Sequence, residues 1–292
     1  MKKLFRFLLC LLCLGLVIGI ALFFYRENVF TNKLDNIKGN PYLKLENLGN
    51  KDFKKIKKYF KLFKKENLER YIAYQKNNSN FSLDKIILNV NMGLDKPFYE
   101  NTKIIKNTNR IDVLVNKYNL LPDDYKPNDL EKLPSSYGYG EHYMRSEAKK
   151  AFIDLVNHAQ SEGYVIKASS TFRTKNYQRG LYNSYARQDG YKGADRYSAR
   201  PRSSEHETGL SVDVASTNYQ ITKFKNTKAY TWMTNNCYKY GFILRYPEGK
   251  ENITGYMFES WHYRYLGKEL ALKVYNSHLT YDEYYALYLD RN

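Results

Sequence analysis

The sequence SSEHETGLSVDV, from Ser203 to Val214, places a histidine between two glutamates and just before a glycine. Its His-Glu pair resembles the start of a zinc-protease helix, but no second histidine follows His206 at the required spacing, and Gly209 interrupts such a helix. We therefore expect a turn after His206. Apolar residues then alternate with small or polar ones from Leu210 to Val214, which predicts a half-buried strand with Asp213 on its polar side.

This turn and strand suggest a metal site. His206 offers an imidazole nitrogen and Asp213 a carboxylate oxygen, and both atoms suit Zn²⁺. A third ligand is available in FESWHYRY, where His262 follows Glu259 by three residues. Two histidines and one carboxylate leave one position of a tetrahedral zinc open for water, which is typical of a catalytic site. Glu259 is then free to act as the base.

Spacing alone leaves two simpler interpretations open. A histidine and an aspartate at this separation are often joined only by a surface hydrogen bond. An acidic residue three positions before a histidine, beside Trp261 and Tyr263, is often the edge of an aromatic core. The two glutamates that flank His206, Glu205 and Glu207, are expected to face solvent.

The surrounding sequence predicts an α+β domain. Apolar spacing indicates a helix from Arg145 to Ser161, ended by Gly163, and a strand follows in YVIKASS. A second helix is predicted from Lys225 to Tyr240, capped by Gly241. The connections are too short for regular crossover units, so we expect a small antiparallel sheet that is flanked by helices and holds a mononuclear zinc site.

The first thirty residues predict a membrane anchor. An uncharged run from Phe7 to Tyr25 is about as long as a bilayer-spanning helix requires. The basic residues before it would stay inside the cell by the positive-inside rule, so everything after Arg26 would lie outside. A cleaved signal peptide is the alternative, but it usually ends in small residues rather than in ALFFY.

Residues 31–82 are predicted to form a membrane-proximal helical region. From Lys51 to Tyr71, phenylalanines and one isoleucine recur at helical spacing among many lysines. This basic amphipathic helix either lies on an acidic membrane surface or simply presents lysines to solvent. The sequence DKIILNVNMGL, from Asp84, is interpreted as a strand that leads into a main domain over residues 83–292.

The net charge of the chain limits which molecules it is expected to bind, and its cysteine content limits which covalent links can hold its fold. The formal net charge of +17 implies an anionic neighbour such as acidic lipid or an acidic wall polymer. No nucleic acid is expected, because no recognition motif for DNA or RNA is present. Cys10 and Cys13 lie in the apolar segment and Cys237 is alone in the soluble part, so the fold must hold by packing without an intradomain disulfide.

Four blocks of sequence, in order, resemble the VanY-like zinc D-alanyl-D-alanine carboxypeptidases. They are LVNKYNLLPDDYKP from Leu114, SSTFRTKNYQRGLYN from Ser169, RPRSSEHETGLSVDV from Arg200 and YGFILRYPEGKENITGYMFESWHYRYLG from Tyr240. Together they cover roughly residues 84–276, and four ordered blocks are a far more specific signal than any single motif.

The resemblance implies a role for each matching residue. His206, Asp213 and His262 match the zinc ligands, and Glu259 matches the catalytic base. Arg173 matches an arginine expected to bind the terminal carboxylate of the substrate, for which a guanidinium offers two parallel donors. Two further positions recur near this pocket, namely Gln178 and Ser204. The sequence departs from the family pattern at Thr171, Phe172 and Ser260, where Gly, Tyr and Pro are expected.

The resemblance thus implies a bacterial, single-pass membrane protein whose extracytoplasmic domain removes the C-terminal D-alanine from peptidoglycan stem peptides with Zn²⁺. An L,D-carboxypeptidase acting on tetrapeptide stems is the nearest enzymatic alternative. A D,D-dipeptidase fits less well, because an external location offers little free dipeptide. A catalytically silent wall-binding protein is the alternative from another class, and the complete ligand set with Glu259 retained argues against it.

Overall fold

The computed structural model describes residues 62–217 and 220–290. The chain divides into two compact units, one ending at Asn91 and the other beginning at Met92. The predicted anchor over residues 1–30 and most of the predicted basic helix from Lys51 lie outside the described residues, so the proposed three-part division stays a prediction. Within the described ranges, no helix combines the length and the apolar character needed to cross a membrane.

The first unit is helical in its described part. A short 3-10 helix (Lys65–Asn67) precedes helix α1 (Leu68–Asn77), and α2 (Leu83–Met92) follows. The strand predicted from Asp84 is therefore wrong. Buried apolar residues of this segment recur three or four positions apart, the spacing of one helix face, and they pack with Tyr71 and Phe63. They are Leu83, Ile86, Ile87 and Val90.

The second unit is a mixed α/β fold with small sheets. Two short strand pairs come first: β1 (Lys103–Ile104) lies parallel to β2 (Asn119–Leu120), and β3 (Leu130–Lys132) lies antiparallel to β4 (Tyr143–Arg145). The elements that follow, in order, are α3 (Ser146–Ser161), β5 (Lys167–Ser170), α4 (Lys175–Ala194), β6 (Ser211–Ala215), α5 (Lys228–Asn236), β7 (Phe242–Leu244), α6 (Glu251–Thr254), β8 (His262–Tyr265), α7 (Lys268–Ser277) and α8 (Tyr281–Tyr284).

Four of these strands form the central sheet, in the order β5-β6-β8-β7, and every neighbouring pair is antiparallel. The antiparallel sheet expected from the sequence is confirmed. In the β6–β8 pairing, Asp213 stands opposite His262 and Val212 opposite Tyr263. This register places the two polar residues side by side on one face.

The opposite face of the sheet packs on α3. Predicted from Arg145 to Ser161, this helix is observed from Ser146 and directs its apolar side at the core. The residues that meet there include Phe152 and Leu155 of the helix and Val212 and Val214 of β6. All five residues of β6 are buried, so the prediction of a half-buried strand was wrong. The reason is that the polar side of β6 is covered by other polar groups of the protein rather than by water.

The second predicted helix is divided in the structure. The segment from Lys225 falls into the end of a 3-10 turn (Ile221–Asn226), then α5, then a further 3-10 turn (Cys237–Tyr240). Thr227 caps α5, since its side chain accepts a hydrogen bond from the backbone N–H of Tyr230. Gly241 ends the segment in the left-handed conformation, as predicted.

Candidate metal centre and active site

His206 lies in a buried 3-10 turn (Glu205–Thr208), so the turn predicted after His206 begins one residue before it. Gly209 ends the turn at a φ of 68°. A Cβ atom at this position would lie 2.8 Å from a side-chain carbon of Leu130 and 3.3 Å from the backbone nitrogen of Arg145. Glycine is therefore required both for the backbone conformation and for the close approach of β3 and β4.

The β6–β8 register completes a group of three buried ligands, His206, Asp213 and His262. Nε2 of His206 lies 3.2 Å from Oδ2 of Asp213, and Nδ1 of His262 lies 2.9 Å from Oδ1 of the same carboxylate. In a tetrahedral zinc site with bonds near 2.0–2.1 Å, ligand atoms stand about 3.3 Å apart. The donor types and these two distances are therefore close to those of a zinc site.

Each histidine has a partner on the nitrogen that faces away from this group. Nδ1 of His206 lies 2.6 Å from the backbone carbonyl oxygen of Thr171, which can only accept, so Nδ1 carries the hydrogen and Nε2 has its lone pair available. Burial and the neighbouring Arg173 lower the pKa of His206 to about 4, so this imidazole is neutral at pH 7. A neutral imidazole is the form that binds a metal.

The second histidine has a different electrostatic setting. Burial by itself lowers the pKa of His262, but hydrogen bonds to Asp213 and Glu205 outweigh it and raise this pKa to about 9. The pKa of Asp213 is held well below its usual range, because the two neighbouring histidines outweigh the effect of burial. Metal binding at His262 is therefore coupled to the loss of a proton.

Arg173 lies beside the ligand group and is held by several acceptors. Its Nη2 is 2.9 Å from Oδ2 of Asp213 and 3.1 Å from Nε2 of His206. Its Nη1 donates to Oε1 of Gln178 at 3.1 Å, and Nε2 of Gln178 in turn donates to the Ala199 carbonyl at 2.8 Å. Gln178 thus orients the guanidinium from the first turns of α4.

Glu259 lies on the loop before β8, with its carboxylate 4.0 Å from Nδ1 of His262. The loop is fixed by a hydrogen bond from the Glu259 backbone N–H to the Tyr246 carbonyl at 3.1 Å. Burial raises the pKa of Glu259 to about 8. This carboxylate is close to the ligands without being one of the three-residue group, so it is placed to exchange a proton with a molecule bound beside them.

Both glutamates that flank His206 are buried, so the prediction that they face solvent was wrong. Glu205 accepts hydrogen bonds from Arg245 and Arg264 and contacts His262. Glu207 accepts from the backbone N–H of Arg202 at 2.7 Å. The 3-10 turn buries both carboxylates together with His206. The arginines that pair with Glu205 lie far along the chain, so local spacing could not predict this burial.

All seven predicted site residues line one cavity of about 320 Å³. The walls also include residues that the sequence did not single out, among them Tyr246, Tyr256 and Trp261. The ring of Tyr246 lies 5.0 Å from that of His262. Tyr246 belongs to the sequence RYPEG within one of the family-like blocks, so the resemblance could have identified it as a residue near the site. The cavity brings together Arg173, Gln178, Ser204, His206, Asp213, Glu259 and His262.

The three departures from the family pattern have different surroundings. Thr171 serves the site through its backbone carbonyl, and its hydroxyl accepts from the backbone N–H of Tyr143 at 3.1 Å. Phe172 lines a separate surface groove with Tyr143. Ser260 is buried, and within residues 62–217 and 220–290 its hydroxyl meets no hydrogen-bond partner.

Comparison with known proteins agrees with this geometry. A family model described as VanY, D-alanyl-D-alanine carboxypeptidase, matches residues 141–268. The putative carboxypeptidase YodJ of Bacillus subtilis is 35% identical over 215 residues, which cover 71% of this chain and 77% of that protein.

Solved structures are similar as well. One is the LdcB LD-carboxypeptidase, whose structure is described as revealing the molecular basis of peptidoglycan recognition. It is 36% identical with a TM-score of 0.60, and the match covers 64% of this chain and 90% of that one. A mutant of the vancomycin-resistance D,D-pentapeptidase VanY in complex with Zn(II) is 32% identical with a TM-score of 0.52, covering 59% of this chain and 97% of that one. The chain therefore belongs to the VanY D-alanyl-D-alanine carboxypeptidase family and is a zinc metallopeptidase.

Proposed function

We propose that this chain is a membrane-anchored D,D-carboxypeptidase that removes the C-terminal D-alanine from peptidoglycan stem peptides. The observation that carries this proposal is the cavity in which Arg173, Glu259 and the His206–Asp213–His262 group meet. A carboxylate-binding arginine beside a metal group and a separate carboxylate is the arrangement that a metal-dependent carboxypeptidase needs.

We assign His206, Asp213 and His262 as the residues that hold zinc. When bound, the ion supplies a Lewis acid that activates water and polarises the carbonyl under attack. Nε2 of His206 is the nitrogen without a hydrogen, because Nδ1 donates to the Thr171 carbonyl. Asp213 presents one oxygen to each histidine, so its carboxylate fixes the distance between the two rings.

Arg173 binds the terminal carboxylate of the stem peptide in this proposal. A guanidinium offers two parallel donors to one carboxylate and so selects a chain end over an internal peptide bond. Gln178 keeps the guanidinium in place from one side. Ser204, buried at the cavity wall just before the 3-10 turn, is assigned to contact the substrate.

Glu259 is the proposed base. It accepts the proton of the attacking water and passes it to the leaving amine, a transfer for which its position beside the ligand group suits it. The tyrosines of the wall, Tyr246 and Tyr256, limit the access of bulk water to this carboxylate, and both are buried.

An L,D-carboxypeptidase acting on tetrapeptide stems is the second candidate. The similarity to the LdcB LD-carboxypeptidase supports it, because 90% of that chain is covered at 36% identity. The same ligand set and base serve either reaction. The difference lies in which stem end the cavity accepts.

The deciding experiment incubates the full chain with defined tri-, tetra- and pentapeptide stems and identifies the released residue by mass. Release of D-alanine from the pentapeptide supports the D,D assignment. Release from the tetrapeptide alone replaces it with the L,D assignment. If no stem is cleaved while the protein still binds cell wall, the silent wall-binding hypothesis takes the place of both.

We also propose that residues 1–30 anchor the enzyme in the cell membrane, with the catalytic domain on the extracytoplasmic side. The uncharged run from Phe7 to Tyr25 after a basic start supports this. The lysines between Lys51 and Tyr71 are assigned to an anionic lipid or wall polymer. Membrane fractionation combined with N-terminal sequencing tests the anchor, since a cleaved leader would give a shortened N-terminus.

A further inference from the structure

Next to His262 lies a group of buried charged side chains that the proposed mechanism does not use. Two guanidinium groups, Arg245 and Arg264, meet two carboxylates, Glu205 and Asp282, and all four are at most 4% exposed. Oε1 of Glu205 accepts from Nε of Arg245 at 2.8 Å and from Nη1 of Arg264 at 2.9 Å. Two positive and two negative charges balance, so the group needs no further partner for neutrality.

The two arginines are themselves fixed. Nη2 of Arg264 donates to the carbonyls of Ile111 and Val113, at 2.8 and 2.7 Å. Nη1 of Arg245 donates to Oδ2 of Asp282 at 2.6 Å. Since both guanidinium groups are held on their far sides, the position of Oε1 of Glu205 is set by groups outside the metal site.

The other oxygen of Glu205 faces the metal site. Oε2 lies 3.3 Å from Nε2 of His262, and a carboxylate can only accept, so Nε2 carries the hydrogen. The other nitrogen, Nδ1, lies 2.9 Å from Oδ1 of Asp213, which is also a carboxylate oxygen, so Nδ1 carries a hydrogen that a metal would replace. Of the two nitrogens, only Nδ1 faces another proposed ligand, so the contact of Nε2 with Glu205 leaves Nδ1 for the metal and limits rotation of the ring.

We propose that Glu205 is a positioning residue for the zinc site, holding His262 with Nδ1 toward Asp213 and Nε2 away from the metal. The inference rests on the proposed ligand set. Carboxylates that accept from the outer nitrogen of a ligating histidine fix the ring and strengthen metal binding. In this chain the carboxylate is in turn held by two buried arginines.

The same contacts connect the site to the C-terminal helix. Asp282, which anchors Arg245, lies on α8, and its Oδ1 accepts from Nδ2 of Asn116 at 2.8 Å. Both Asp282 and Asn116 lie outside residues 141–268, which the family model matches. Zinc affinity is therefore expected to depend on a helix that contributes no ligand.

The test measures zinc affinity of the full chain by competition with a chelator of known affinity. Glu205→Asp keeps the negative charge for the arginines but is one methylene shorter, so its carboxylate cannot serve both arginines and His262. Glu205→Gln keeps the length but loses the charge. Each variant is expected to weaken zinc binding by about 10- to 100-fold. The visible spectrum of the cobalt-substituted protein should also change, because the ring of His262 is no longer fixed.

Glu207→Gln is the matched control. Glu207 belongs to the same 3-10 turn, is also buried and also flanks His206, but its carboxylate accepts from the Arg202 backbone N–H and is not among the contacts of His262. Its substitution should leave zinc affinity and the cobalt spectrum unchanged. Thermal unfolding of the zinc-free proteins measures any purely structural effect of each change separately.

Asp282→Asn tests the connection to α8 and remains informative if Glu205→Gln does not fold. It should weaken zinc binding by about two- to tenfold, because Arg245 is held less firmly. Zinc affinities of Glu205→Asp and Asp282→Asn equal to that of Glu207→Gln would overturn the proposal, even if their unfolding temperatures fall. A parent that binds no zinc would overturn it as well. A parent that binds zinc but cleaves no stem peptide contradicts only the proposed function.

Discussion

The two faces of the central sheet are both buried, yet they are built from different chemistry. One face belongs to the apolar core beneath α3, where Phe152 contacts Phe242 edge-on with ring centroids 6.1 Å apart. The other face carries Asp213, His262 and Arg264, each no more than 3% exposed. Because side chains alternate along β6 and β8, each of these strands contributes residues to both faces. The residues directed to the apolar core are Ala168, Val212, Val214, Phe242, Tyr263 and Tyr265.

The difference lies in what burial requires on each face. Apolar side chains are stabilised simply by leaving water, by about 25 cal/mol per Å². A charged side chain on the polar face loses its hydration, and a partner of opposite charge must offset that loss of free energy. Arg264, for example, donates to Glu205 and to three backbone carbonyls. We therefore expect changes on the polar face to affect chemistry and metal binding, and changes on the apolar face to affect stability alone.

The largest effect is expected from Glu259→Gln. Replacing the carboxylate by an amide of nearly equal size removes the proton acceptor, so kcat should fall by about 10²- to 10⁴-fold while zinc remains bound. Stem-peptide turnover and elemental analysis of zinc measure the two properties. Glu248→Gln, on an exposed turn, is the control. Unchanged turnover in Glu259→Gln would remove this residue from the mechanism.

Phe152→Ala should have the next largest effect, on the opposite face. Its ring is fully buried, so its loss should reduce the free energy of unfolding by about 3–5 kcal/mol. Zinc affinity of the folded variant should not change. Chemical denaturation and chelator competition test the two statements. Asp154→Ala, exposed on the same helix, is expected to stay within about 0.5 kcal/mol of the parent. A loss of zinc affinity in Phe152→Ala would show that the two faces are not independent.

Arg173→Lys should reduce kcat/KM by about 10- to 100-fold. A lysine keeps the positive charge but loses the paired donors that fit a carboxylate, each charge-assisted hydrogen bond being worth about 1.5–3 kcal/mol. Zinc content should be unaffected, which steady-state kinetics with parallel metal analysis would establish. Arg179→Lys, exposed on α4, provides the comparison. Equal losses in both variants would argue against a specific contact of Arg173 with the substrate.

Glu207→Gln should have the smallest effect on the site itself, because it should change the pH dependence of stability and leave zinc binding as it is. Burial raises the pKa of Glu207 to about 7, whereas its ordinary value is 4.5. Between these two values the folded state binds more protons than the unfolded state, so this residue makes stability fall as pH rises through the window. The variant should show a flatter decline than the parent between pH 4.5 and 7 in denaturant titrations. Parallel curves would mean that Glu207 does not titrate as described.

The sequence predicted more of the site than of its surroundings. The turn at Gly209, the helix that ends at Ser161 and the convergence of His206, Asp213 and His262 follow from glycine conformation, apolar spacing and the family-like blocks. The segment from Leu83 to Met92 was predicted as a strand, although the helical spacing of its apolar residues is present in the sequence.

The sequence by itself determined the residue types that can hold zinc, the turn that presents the first of them, and the family to which the chain belongs. Only the tertiary structure decided where the flanking glutamates lie. Glu205 and Glu207 are alike in sequence, yet Glu205 meets Arg245 and Arg264, which are far from it along the chain, while Glu207 meets the nearby Arg202 backbone. Whether a carboxylate is buried depends on compensating charges brought to it by folding, and local spacing carries no information about partners at that distance.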